Sequence, residues 1–345
     1  MNLQNQFIKF NEKIKLSDSK LNELKSKKDI IINILKDNKD LPNFSPFLQG
    51  SYKMRTEVKP IEKDYDIDIG LRFDVNKFEY DDPLVLKKII RDALKDHTEY
   101  GAEIKNPCVT VSYKKDNELA YHVDIVTYVF EDKENKNSQL YLARGKEFGK
   151  PENKFWEKAD PLGLIDKIEN KIDDTNDKAQ YKRVIRYLKR WKNISFSSDG
   201  NEEVPGIAIT LLAYSYFENK SEFDCVDYQK KYDDFEALNN LVKKIKEQFV
   251  QIYVGGENKH KIYLKLPVEP YTDVFSKMTI NQQENFYEKI CKLSDNLIEV
   301  KNEKDLVEKC KKLNKILGDD FEVPEQEEYK EQSNFIPYSS ASGKI

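Results

Sequence analysis

Histidine and cysteine are scarce in this chain, and their scarcity excludes much. The three histidines, His97, His122 and His260, are too few and too far apart for a histidine-built zinc centre. Cys108, Cys225, Cys291 and Cys310 are scattered with no C-x-x-C spacing, which reads as reduced packing residues rather than a disulfide frame. Long apolar runs are missing too: the stretch "IAITLLAYSYF" (207–217) falls well short of the roughly 20 residues that cross a bilayer. The amino terminus, "MNLQNQFIKFNEK", has charges where a secretory leader needs an apolar segment. Positive charge is not in excess either. Lysine and arginine number 58 against 62 acids, a formal net charge of −4. No global field draws such a chain to nucleic acid or an anionic membrane, so any polyanion site has to be local. The expectation is a soluble, cytoplasmic protein.

What is present is enough for one large domain or two: 345 residues, 39% hydrophobic and 35% charged. Residues 1–39 carry helical periodicity through Phe7, Phe10, Ile14, Leu21, Leu24 and Leu35, and "DNKDLPNFSP" ends it with turn formers. Strand patterns follow at 65–73, 106–114 and 120–130, with a helix at 82–97. From about residue 155 the pattern turns helical, with segments at 178–193, 207–219, 235–250, 281–300 and 303–318 and a loop at 195–206. The sequence predicts an α+β protein: a mixed-sheet domain over 1–155 that includes the N-terminal helix, a helical domain over 156–320, and a cleft between them. The polar end, 321–345, reads as a flexible tail.

Within "GSYKMRTEVKPIEKDYDIDIGLRF" (50–73), three aspartates alternate with Tyr65, Ile67 and Ile69. In a strand, residues i and i+2 share a face and stand roughly 6–7 Å apart. Like charges so placed repel one another and call for a cation. Asp66 and Asp68 can then reach the same ions, and Asp124 in "HVDIV", flanked by Val123 and Ile125, is the natural third carboxylate from a neighbouring strand. Aspartates without thiol or histidine partners suit Mg²⁺ or Mn²⁺ rather than zinc. Two such ions could hold the attacking and leaving oxygens of an in-line phosphoryl displacement. A lone D-x-D is more often a solvated edge. Gly50-Ser51 ahead of it, whose backbone N–H groups and hydroxyl suit a terminal phosphate, makes the conjunction specific.

The combination "QGSYKMRT…DYDIDIG…HVDIV" resembles the nucleotidyltransferase superfamily pattern of Gly-Ser, D-x-D and a distant third acid. The later "KFWEKADPLGLI", "YKRVIRYLKRWKN" and "VPGIAITLLAYSYF" look like the helical half of the bacterial cyclic GMP-AMP synthase-like enzymes, the CD-NTases. The likeness covers roughly residues 45–320. It implies a polymerase-beta-like sheet domain with an N-terminal spine helix. Gly50 and Ser51 would meet the donor's terminal phosphates, and Asp66 and Asp68 would bind both metals. Asp124 would complete the site and help to activate the acceptor hydroxyl. Asp64 falls outside the matched D-x-D and reads as solvent-facing or supporting. Relatives often carry serine after the proline of "VPGIAIT", where this chain has Gly206, so a side-chain contact to phosphate or base is absent there.

The helix over 178–192 holds seven cations and no acid between Lys178 and Lys192. Lys182, Arg186, Lys189 and Arg190 fall near one face, and Lys182 or Arg186 is the expected grip on the triphosphate; Leu188 and Trp191 face the core. His122 shares the face of Asp124 and reads as a supporting or structural residue. Tyr52 reads either as a stacking platform for a base or as packing.

The resemblance implies template-independent synthesis of a cyclic di- or oligonucleotide from NTP substrates for antiphage signalling, with a separate effector reading the product. Regulatory or conjugating proteins encoded nearby could act on the tail, "SSASGKI". An alternative is transfer of nucleotides to RNA, protein or a small molecule. RNA or DNA is not expected as a partner, because one basic helix is no extended track. A nucleotide-binding scaffold with a dead site is the third reading, disfavoured by the intact Ser51, Asp66, Asp68 and Asp124.

Overall fold

Two helices precede the first strand. In this computed structural model α1 (Gln4–Ile14) and α2 (Asp18–Asp37) part at Lys15, whose backbone is extended, and the Ser17 hydroxyl caps α2 by accepting from Lys20 N at 3.3 Å. The structure describes residues 3–61, 65–115, 118–196 and 204–325, the side chains of 114, 115 and 118–120 excepted. The break matters because the two helices serve different cores. Phe7, Phe10 and Ile14 of α1 are buried with the later helices, whereas Leu24, Ile31 and Leu35 of α2 are buried against the sheet. The single spine helix read from the sequence is therefore two.

The sheet has seven strands: β1 (Phe44–Leu48), β2 (Tyr65–Asn76), β3 (Ala102–Ile104), β4 (Val109–Lys115), β5 (Glu118–Phe130), β6 (Leu140–Arg144) and β7 (Phe155–Ala159). Their order is β1-β2-β5-β4-β3, with β6 paired to β5 and β7 to β6. Only β2 and β5 run parallel. A parallel pair needs a long crossover, which here contains α4 (Leu84–Leu94) and β3–β4. A short helix, α3 (Gly50–Met54), joins the end of β1 to the segment before β2. Alternation then sorts the faces. Ile67, Ile69, Leu71 and Phe73 of β2, with Val123 and Ile125 of β5, are fully buried beneath α2 and α4. Their neighbours Asp66, Asp68, His122 and Asp124 must point the other way.

The second half contains α5 (Pro161–Glu169), α6 (Thr175–Ser195), α7 (Gly206–Tyr216), α8 (Asp234–Lys246), α9 (Ile280–Asn302) and α10 (Leu306–Leu317). It also holds two hairpins that the helical reading did not foresee, β8 (Ser221–Asp224) with β9 (Gln229–Tyr232), and β10 (Val250–Val254) with β11 (Glu257–Lys261). Helix α6 is central, packed on α1, α7, α8 and α10. Asp234, fully buried, anchors it: Arg183 donates to both carboxylate oxygens at 2.6 and 2.8 Å, and the Tyr187 hydroxyl lies 2.9 Å from one of them. A buried carboxylate is tolerated only with such complete pairing. Phe321 is buried in the same core, so ordered packing continues past residue 320. Residues 326–345, and with them the expectation for the tail, lie outside the described residues. The α+β class with a mixed sheet and a following helical region holds.

Candidate active site

The pairing of β2 with β5 decides which carboxylates meet. Their register sets Asp66 beside His122 and Asp68 beside Asp124. Ligand atoms of Asp66, His122 and Asp124 all lie within 4.8 Å of one another. His122 Nε2 is 3.3 Å from Asp66 Oδ1. Asp68 stands within the fields of both Asp66 and Asp124. Burial first, then those two charges, pushes its carboxyl up to about 8. An acid held that far above its ordinary range marks a place where a cation is wanted. The donor set fits a hard divalent ion, with one difference from the sequence reading: an imidazole stands among the carboxylates. Asp64 lies outside the described residues.

Asp124 is held from the far side by β4. Register places Thr110 opposite it, and the Thr110 hydroxyl donates to Asp124 Oδ1 at 2.5 Å. Sequence reasoning passed over Thr110. Its signal was alternation: it lies between Val109 and Val111, which are fully buried on the opposite face.

Gly50 is where the two motifs touch. Its φ is +65°, which disfavours any side chain, and a Cβ there would lie inside the van der Waals envelope of the Asp68 carboxylate. Gln49 N donates to Asp68 O at 3.1 Å, so the Gly-Ser turn is bonded directly to the acidic strand. The turn closes on itself through Thr56 N to Ser51 O at 3.0 Å. Thr56 is buried, and its hydroxyl and carbonyl oxygens accept from Lys189 Nζ at 3.2 and 3.1 Å.

Gly50, Ser51, Asp66, Asp68 and Lys189 border a cavity of about 340 Å³, whereas Asp124 stands beside Asp68 and does not line it. Its sheet side carries Gly50, Ser51, Glu57, Asp66 and Asp68. Helix α6 contributes Lys189, Lys192 and Asn193, and α7 contributes Gly206 and Thr210. A Cβ on Gly206 would meet nothing within 4 Å, so the position has room for a serine side chain. Burial, with Lys192 adding to it, pushes Lys189 down to about 7. Burial also raises the Glu57 carboxyl above its ordinary range, against the opposing pull of its own backbone N–H first and then of Arg186, Lys189 and Arg55.

Lys182 and Arg186 stand elsewhere. Lys182 Nζ pairs with both carboxylate oxygens of Glu169 at 2.7 and 2.8 Å. Arg186 donates to Asn11 Oδ1 at 2.8 Å and to Arg55 O at 2.7 Å, tying α6 to α1 and to the end of the Gly-Ser turn. Neither borders the cavity. Lys189 lies seven residues after Lys182, on the same helical face but roughly 10 Å further along the axis. Tyr52 points to α2, its hydroxyl donating to Leu21 O at 3.4 Å, and is packing. Leu188 and Trp191 are buried in the core as expected.

The strands, the Gly-Ser turn and the acids together define a nucleotidyltransferase fold. Residues 43–128 match the family model for the nucleotidyltransferase domain of the cyclic GMP-AMP synthase DncV-like proteins. A cyclic GMP-AMP synthase of Escherichia albertii is 32% identical over 192 residues; the match takes in 53% of this chain and 39% of that protein, so the chain spans about two fifths of its length. Among solved structures, Vibrio cholerae DncV in complex with nonhydrolyzable GTP superposes with a TM-score of 0.69 at 16% identity, covering 93% of this chain and 97% of that one. The CD-NTase CdnG of Bradyrhizobium diazoefficiens, in complex with GTP, gives 0.68 at 12% identity, covering 92% and 96%. The resemblance read from the motifs is borne out: the chain has the CD-NTase fold, and its nucleotidyltransferase segment is DncV-like. Among the described residues no helix is long and apolar enough to cross a membrane.

Proposed function

We propose that this chain is a template-independent nucleotidyltransferase that converts NTPs into a cyclic di- or oligonucleotide signal. The observation that carries the reading is that Asp124 meets Asp66 and Asp68 across the β2–β5 pair, where Asp66 and Asp68 border, with Ser51, a cavity whose other wall presents Lys189 and Lys192. Asp66, Asp68 and Asp124 would hold divalent cations, Mg²⁺ or Mn²⁺, with His122 fixing the orientation of Asp66. Two such cations, when bound, neutralise the carboxylates and the charge that develops on the transferred phosphoryl group. Ser51 and the Gly50–Ser51 backbone meet the donor's terminal phosphates. Lys192 and Lys189 offset the charge the metals leave. Asp124, steadied by Thr110, faces the acceptor hydroxyl and assists its activation. Catalysis is then mostly positioning and charge neutralisation.

The GTP complex of CdnG and the nonhydrolyzable-GTP complex of DncV support a purine nucleotide in the cleft. A cytoplasmic setting, a separate effector that reads the product and an antiphage role belong to the same proposal. Incubating the purified chain with the four NTPs and Mg²⁺ or Mn²⁺, then analysing phosphatase-resistant products by mass spectrometry, tests it. Cyclic products from NTPs alone are expected. Products that form only when RNA or protein is added would move the reading to an acceptor-modifying transferase.

A further inference from the structure

Three carboxylates border the cavity, and the metal site explains two of them, Asp66 and Asp68. Glu57 is the third. It borders the cavity on the sheet side, yet it is outside the group formed by Asp66, His122 and Asp124. One of its oxygens, Oε2, is enclosed and has no hydrogen-bond partner among the described residues. A buried acceptor left unmade is costly, and native structures seldom retain one without a use.

The neighbouring cations do not relieve it. Arg186 directs its Nε and Nη1 to Asn11 and the Arg55 carbonyl, and the Lys189 ammonium is bonded to both oxygens of Thr56. These groups soften the field at Glu57 without supplying Oε2 with a donor. Glu57 as a residue nevertheless borders the cavity, so a ligand held there can offer its carboxylate a donor. It cannot be a phosphate, since two anions repel; phosphates belong at Ser51 and Lys192. Water can fill that role in the empty cavity, and in the loaded one it falls to a part of the ligand that carries donors.

We propose that Glu57 is a recognition residue of the cleft, accepting a hydrogen bond from a donor on the nucleoside part of a bound nucleotide. This rests on the cleft being a nucleotide site. Two sources supply such a donor: the amino or imino N–H of a base, and a ribose hydroxyl. A base donor makes Glu57 a selector among nucleotides, because the four bases present different donor patterns. A ribose donor makes it a selector of sugar.

The test measures binding of each of the four NTPs, with Mg²⁺, to the full chain and to Glu57→Gln by calorimetry, then repeats it with 2′-deoxy and 3′-deoxy NTPs. Replacing a charged acceptor by a neutral amide should weaken the affected nucleotide by about tenfold or more. Loss confined to one or two bases assigns a base donor. Loss across all four ribonucleotides that disappears with one deoxy series assigns that hydroxyl. Unchanged binding throughout, or an equal loss that persists in both deoxy series, overturns the inference. Wild-type chain that binds no NTP would instead overturn the reading of the cleft itself. Thermal melts control for folding. Should Glu57→Gln not fold, Glu57→Asp, which withdraws the charge by one methylene, is judged by the same selectivity pattern.

Discussion

On the floor of the cleft, strand pairing fixes where each carboxylate stands. On its wall, the lysines of α6 stand where they do because of how a helix is docked. In the floor, a two-residue period and one parallel register, Asp68 against Asp124, are sufficient to converge the acids. In the wall, helical period gives the face but not the height. The height is set by contacts far away in sequence, such as Arg183 with Asp234 and Arg186 with Arg55 O. Local chemistry therefore predicts the floor, and tertiary docking decides the wall.

The largest effect expected is from the floor. Asp66→Asn with Asp68→Asn should abolish turnover, by about a thousandfold or more, since it removes the metal site outright. The same change should stabilise the metal-free protein near neutral pH. Folding raises the Asp68 carboxyl from 3.8 to about 8, so between those values the folded chain holds a proton that the unfolded chain does not. Stability then falls as pH rises through that window. Thermal melts from pH 4 to 9 in EDTA should show the decline in wild type and a flatter profile in Asp68→Asn.

Next in size is the joint between the motifs. Gly50→Ala brings a Cβ into the Asp68 carboxylate at a positive φ. It should lower kcat about a hundredfold and destabilise the fold by about 1–3 kcal/mol. Activity and melting measured together check this; a fully active Gly50→Ala would break the link between Gly-Ser and D-x-D.

The smallest effects sharpen the comparison along α6. Lys192→Ala and Lys189→Ala should raise KM for NTPs by about 10- to 100-fold. Lys182→Ala should leave KM within about twofold, because its partner is Glu169. Arg186→Ala should lower stability, because it ties α6 to α1 and the Gly-Ser turn. Steady-state kinetics on the four variants ranks them, and equal KM effects at 182 and 192 would contradict the assigned wall.

This ranking follows what could be read from the sequence. Asp66, Asp68 and Asp124 were legible because alternation is local and the apolar partners Ile67, Ile69, Val123 and Ile125 leave them one face. Ser51 and Gly50 were legible as a motif, though not the reason: the positive φ and the Asp68 carboxylate against the Cα are properties of the folded turn. Lys182 and Arg186 had the correct face and the wrong height for the cavity. Thr110 and Glu57 carried weak signals, one a threonine between two valines, the other an acid in a loop of mixed charge. The hairpin 221–232 escaped notice because strands as short and polar as Gln229–Tyr232 show no alternating apolar face, and in 250–261 the alternation of Val250, Ile252 and Val254 lasts only five residues and adjoins a helical pattern. The division of residues 1–39 into two helices was masked by an apolar pattern that continues through the break.

Counting bound Mn²⁺ by electron paramagnetic resonance, in wild type and in the Asp66→Asn, Asp68→Asn double variant, tests the central claim most directly. With a nonhydrolysable NTP present, wild type should take up about two ions per chain and the variant should lose them. Equal uptake by the two proteins would mean that the carboxylates paired across β2 and β5 do not hold the metal.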